Sequence, residues 1–300
     1  MHPAPSIILF TTFSGVGFGL LVFLGLGLPA VEGVVAFIFF AIAFAMAGGG
    51  LAMSAFHLGH PERALKAFSQ WRTSWLSREA WTAAAALAVM GVHAALIVFA
   101  GTRVAALGLL GAALCVAAVV STSMIYASLR AVPRWHHWST PGLFLLYAAA
   151  GGSLLAGQVT LAMPLLLALG LAQMLVWRDG DTRFARSATS IGTATGLVGG
   201  TVRAFEPPHT GSNYLLREMV HVVGRKHARK LRAIALVLAS FLPALLLILP
   251  FSHWVAAFAV LSHIAGALVA RWLFFAEAEH VVGLYYGRFQ GSATSTQTSR

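Results

Sequence analysis

Apolar runs of about twenty residues alternate with short polar segments along the chain. The runs are Ser6 to Leu28, Val34 to Phe56, Ala80 to Ala100, Val104 to Leu129, Gly142 to Gly157, Leu161 to Trp177, Ile234 to Pro250 and Trp254 to Phe275. About twenty apolar residues cross the hydrocarbon layer as a helix. The runs are continuous rather than alternating, which favours helices over barrel strands. The pattern predicts an all-α polytopic membrane protein with eight transmembrane helices. The most weakly marked boundary is GQVTLAMP, between the fifth and sixth runs. A longer polar connection separates the sixth from the seventh. Residues 1–290 are expected to form a single integral membrane domain, and 291–300 a flexible polar C-terminal tail.

Composition agrees with this reading. Of 300 residues, 58% are hydrophobic and 10% charged, against about 25% charged in soluble domains. The rival, a large soluble protein of buried helices, fits that balance poorly. The opening MHPAPSIILFTTFSG has no basic n-region, so it reads as the first span rather than a signal peptide. Cys115 is the single cysteine. It rules out an internal disulfide and a multi-cysteine iron–sulfur site, and reads as a small buried side chain.

Charge gives the chain a direction. Nineteen of the twenty Lys and Arg residues fall in the second, fourth and sixth connections, the adjoining helix ends and the carboxyl tail; Arg103 falls on the other side. The positive-inside rule puts the nineteen, and both termini, in the cytoplasm of a bacterium with the chain in its inner membrane. The net charge of +11 then suits anionic lipid or an acidic partner face. No aromatic–basic module supports nucleic-acid binding.

Polar chemistry concentrates in SAFHLGHPERALKAFSQWRTSWLSREA, from Ser54 to Ala80. Pro61 is placed to open a short helix. Ala64, Leu65, Phe68 and Trp71 recur near helical spacing, which predicts a short interfacial helix. Trp71 and Trp75 are expected interface anchors. His57 closes the second span and Glu79 opens the third, where charged groups need partners or water. The pair suits quinone chemistry. Imidazole can exchange a proton near pH 7 and a carboxylate can orient it or carry the proton away. Arg72 or Arg78 could stabilise negative charge on a quinone oxygen. The plainer alternative is an interfacial salt-bridge cluster.

A second rich segment is VRAFEPPHTGSNYLLREMVHVVGRKHARKLRAIALVL. Asn213 is expected to cap the helix that follows it. Arg63, Arg217, Arg225, Lys226 and Lys230 are candidates for docking an extrinsic subunit. Alternatively, RKHARKLR is only a topology anchor. His93 and His263 fall within apolar spans, so a bis-histidine haem is conceivable. A packed polar contact explains either histidine as well. A transporter is a further alternative, but it would need a central polar site, and the polarity here is peripheral.

FHLGHPERALKAF, RTSWLSRE, PPHTGSNYLLREM and RKHARKLR together resemble the membrane-anchor subunit of the dimethyl sulfoxide reductase family, the DmsC type. The resemblance covers nearly the whole chain. It implies an all-helical anchor that binds ubiquinone or menaquinone and lacks haem. It also implies an iron–sulfur electron-transfer subunit as partner and, through it, a molybdopterin catalytic subunit. It associates His57 and Glu79 with the quinol site. A cytoplasmic complex resembles the sulfite-oxidising branch more than the exported sulfoxide reductases, and a reductase anchor oxidising menaquinol is the alternative. The anchor itself would perform no molybdenum chemistry.

Overall fold

The computed structural model describes residues 1–56, 60–197, 200, 202–203, 205–206, 211, 213–220 and 227–286. The expected tail, 291–300, lies outside them. Every regular element among the described residues is helical. Eight long helical runs follow one another. They are α1 (Pro5–Gly25), α2 (Gly33–Ala55), α3 (Trp75–Ala100), α4 (Ala105–Ala127), α5 (Ser139–Leu155) and α6 (Val159–Arg186). Next, α7 joins Ala228–Leu236, a π-helical turn Val237–Phe241 and Leu242–Leu246; α8 is His253–Ala276.

Six of these, α1 to α4, α6 and α8, are long and apolar enough to cross a membrane. α5 is apolar but has 17 residues, about 25 Å of rise. α7 is interrupted by its π turn. The weakly marked boundary falls where expected. α5 ends at Leu155, and Gly157 turns the chain at φ 66° before α6 begins, a conformation that side chains with a Cβ resist. α6 runs on past Trp177 to Arg186, beyond the apolar run, and its extension carries Asp179, Asp181 and Arg183.

α1 is the central helix. It packs against α2, α4, α5 and α8. Its apolar window is 72% buried, against 28% for α2. In lipid, apolar side chains gain little by leaving the hydrocarbon for one another, so close backbone approach decides which helices pack. At the α1–α5 crossing a Cβ on Gly19 would lie 1.9 Å from the Ala148 carbonyl oxygen. Only glycine permits that contact. The buried residues form one large cluster around α1 to α4 and another among α5 to α8.

The basic connections meet at one end. The Met1 amino group donates to the Ala278 carbonyl at 3.0 Å. His2 N–H donates to Glu218 O at 2.7 Å, and Val281 N–H to Ala131 O at 2.9 Å. Asn213 Nδ2 donates to the Tyr286 hydroxyl at 2.9 Å. At the opposite end Arg103 reaches back to the Leu24 carbonyl at 3.4 Å. The alternation read from the charges is therefore built into the packing.

Candidate functional site

The first polar connection contains a 3₁₀ helix, Pro61–Phe68, with Pro61 in its first turn. Leu65 on its apolar side is 81% exposed, while Phe68 is half-buried. The connection is then sewn to the start of α3. Ser77 Oγ donates to the Ala67 carbonyl and accepts from Gln70 N–H. Trp81 Nε1 donates to Phe68 O at 3.0 Å, and the Phe68 and Trp81 rings meet edge to face at 5.2 Å.

Arg78 belongs to this stitching. Its Nε donates to Trp71 O at 3.1 Å, its Nη2 donates to Arg72 O at 2.7 Å, and the guanidinium lies 4.3 Å from the centre of the Trp75 ring. Arg72 is exposed and rests over Trp71 at 5.5 Å. Phe68, Trp71, Arg78, Trp81 and Thr82 line an open, mostly apolar groove on this flank.

Glu79 turns the other way, as the helical rotation of about 100° per residue requires. It is 5% exposed and about 6 Å along the axis from the start of α3. Thr122 of α4 is its hydrogen-bond partner. The same Thr122 hydroxyl lies 3.0 Å from the Ala118 carbonyl. A hydroxyl has one hydrogen and a carbonyl only accepts. If Thr122 donates to Ala118, the bond to Glu79 needs a proton on the carboxyl. If Glu79 is ionised, the hydroxyl rotates to it. The site therefore accommodates both protonation states with the heavy atoms in place.

His57 lies outside the described residues, as do Arg225 and Lys226. Arg63, Arg217 and Lys230 are exposed at the basic end. Asn213 caps Tyr214–Glu218 as expected, its Oδ1 accepting from Leu216 N–H at 2.9 Å. Cys115 is buried in the first cluster.

His93 and His263 have different surroundings. His93 packs edge to face on Phe40 of α2, and its Nε2 would lie 3.0 Å from a Cβ on Gly108 of α4; neither ring nitrogen has a hydrogen-bond partner among the described residues. His263 Nδ1 donates to the Ala239 carbonyl at 2.7 Å, and Ser262 Oγ donates to Leu238 O at 2.8 Å. Both acceptors belong to the π turn of α7, whose i→i+5 register displaces carbonyls from ordinary helical partners. His263 thus holds the α7–α8 crossing together. Its other nitrogen faces the α5 backbone at Gly151, where a Cβ would be 2.9 Å away.

Sequence reasoning missed a second polar centre at the same end, between α5, α6, α7 and α8. Arg232 grips Asp181 with two bonds of 2.6 and 2.8 Å, and bonds Glu277 at 2.7 Å. Arg134 contacts the same two acids at 2.8 and 3.6 Å. Beside them Arg183 bonds Asp179, the Arg134 carbonyl at 2.9 Å and His137 Nδ1 at 3.0 Å. Burial and the neighbouring Arg183 charge lower the pKa of His137, so Nδ1 stays free to accept.

Arg271 of α8 lies beneath this cluster. It is 5% exposed, and its guanidinium lies 3.5 Å from the Phe144 ring centre and 5.1 Å from that of Tyr147. No carboxylate pairs with it among the described residues. Such stacking contributes about 2 kcal/mol when desolvated. Burying an unpaired charge costs several kcal/mol. The spacing of these residues in sequence gives no warning of the cluster, because its members come from four separate segments.

The whole chain matches a family of known proteins. Residues 1–287 match the model of the DMSO reductase anchor subunit (DmsC) family. The chain is 33% identical, over 322 aligned positions, to a sulfite dehydrogenase subunit from Allochromatium vinosum; the match covers 95% of this chain and 99% of the relative. No solved structure matches. The chain belongs to the DmsC family of anchor subunits.

Proposed function

We propose that this protein is the membrane anchor of a molybdopterin and iron–sulfur oxidoreductase, and that it exchanges electrons and protons with quinone at the basic end of the bundle. The observation that carries the reading is Glu79. It is a buried carboxyl, bonded to a hydroxyl that serves either protonation state, one turn into the helix whose first turn carries Trp75 and Arg78. Quinone reduction takes up two electrons and two protons. Oxidation of sulfite with one water to sulfate releases the same numbers in a catalytic subunit. The likeness to a sulfite dehydrogenase subunit favours this direction over quinol oxidation by a reductase.

In this reading Glu79 holds and passes a proton, and His57 is the second proton-bearing group. The open groove beside Trp71 and Trp81 lets an apolar headgroup arrive from lipid. Arg63, Arg217, Arg225, Lys226 and Lys230 dock the iron–sulfur subunit. All eight helical runs span the membrane, α5 and α7 included, with both termini in the cytoplasm. A cysteine placed at Ser69, after Cys115 is replaced, should react with an impermeant reagent only from the cytoplasmic side; labelling from outside would reverse the orientation.

The site is tested on the assembled complex. Glu79→Gln keeps the shape and removes the acid. Quinone-linked turnover should fall about a hundredfold, within the range lost with a general acid–base group. Turnover with a soluble redox dye should be unchanged, since the dye bypasses the anchor. An unaltered quinone-linked rate would exclude Glu79 from proton exchange.

A further inference from the structure

We infer a second ligand site in this chain, at Arg271, that takes a small monovalent anion of about chloride size. Three observations carry it: an uncompensated buried cation, a small space beside it, and walls that offer donors.

The charges around Arg271 do not balance within the protein. Arg134 and Arg232 face Asp181 and Glu277, so two cations close on two anions. Arg271 is left over. An arginine cannot relieve its burial by losing a proton, because the guanidinium stays charged at any working pH. Stacking on Phe144 offsets only part of the cost. Glu79 makes no ion pair with Arg271 among the described residues.

The space is of the right kind. Arg271, Gln173, Tyr147, Arg134 and Trp177 line a cavity of about 40 Å³ between α5, α6 and α8. That volume admits a few water-sized bodies and is too small for a quinone ring. The Tyr147 hydroxyl donates to Gln173 Oε1 at 3.0 Å, which leaves the Gln173 amide group as a donor at the wall. Arg134 Nε is buried without a hydrogen-bond partner among the described residues. Glu277 is the one acid at the rim, and it is already held by Arg134 and Arg232. A monovalent anion would complete the charge count and join α5, α6 and α8. A larger or divalent anion would bring excess charge into a space it does not fit.

The test uses the full chain purified in detergent at constant ionic strength. Replacing gluconate by chloride or bromide should raise Tm by a few degrees, the rise growing with the logarithm of halide concentration, as for a ligand bound to the folded state alone. Arg271→Gln should abolish the response, and sulfate should not reproduce it. Bromide in crystals of the unaltered chain should give an anomalous peak in contact with Arg271. Absence of a halide-specific shift, an undiminished shift in Arg271→Gln, or absence of the peak would each overturn the site and leave a water-filled cavity. If Arg271→Gln does not fold, the bromide peak in the unaltered chain decides. Quinone-linked turnover of Glu79→Gln is independent of every one of these readouts.

Discussion

Glu79, near the start of α3, and Arg271, near the end of α8, lie at the same end of the bundle, yet the protein treats them in opposite ways. Glu79 has one hydroxyl partner, Thr122, and an interfacial flank. Arg271 has aromatic walls, a small cavity and a crowded ion cluster above it. The chemistry of the two groups explains the contrast. A buried carboxyl can shed its charge by holding a proton, so a sparse setting suits a group that must titrate. A guanidinium cannot, so its surroundings must supply what the charge lacks. In the proposed function the first centre changes state, while the second holds shape.

Three changes would break or sharpen that contrast. The largest effect should come from Glu277→Ala, which leaves Arg134 and Arg232 sharing Asp181 alone. Removing one partner from a buried ion pair costs about 3 kcal/mol. The full chain should show a clear fall in Tm, while Glu79 chemistry in the surviving folded complex is spared. An unchanged Tm would mean that the cluster does not hold this end.

A middle-sized effect is expected at Thr122. Thr122→Val keeps the shape and removes the one side-chain bond to Glu79 among the described residues. Stranding a buried polar group costs on the order of 1–3 kcal/mol, so quinone-linked turnover should fall about tenfold. Thr122→Ser should restore it. Equal rates in the two variants would remove the hydroxyl from the mechanism.

The smallest effect concerns pH. His137 has a lowered pKa in the folded protein, through burial and then the Arg183 charge. The unfolded chain therefore binds the proton more readily. Stability should be fully present above about pH 6.5, the ordinary histidine value, and decline as pH falls below it toward the folded value. Tm followed between pH 7 and 5 should drop more in the unaltered chain than in His137→Asn. Parallel curves would discount His137.

Much of the fold was legible because hydrocarbon imposes a simple rule on sequence. A span needs a continuous apolar run, and its helix ends must show in polar residues. That is why the runs anticipate all eight helical stretches, the weak turn at Gly157 included. Six of those stretches are long and apolar enough to count as spans. The helix ends were less legible: α6 continues nine residues past Trp177, since a helix does not stop where its apolar face stops. Glu79 was visible as a charge at the mouth of a span. Thr122 was not, because a threonine in an apolar run is usual in membrane helices and only the α3–α4 pairing makes it a partner.

Arg271, Arg232, Asp181 and Glu277 show the limit most clearly. Each is ordinary where it stands in the chain. The hydrophobic pattern determined by itself that this is a helical membrane protein, and the basic residues determined which connections share an end. Its motifs determined the family. Only the tertiary structure decided that α1 lies at the centre, through backbone contacts such as Gly19 against Ala148. It alone decided that Asp181 and Glu277 are consumed by Arg134 and Arg232, leaving Arg271 uncompensated. Periodicity is a property of one segment. Charge balance inside a bundle is a property of distances between segments, which no single run of residues encodes.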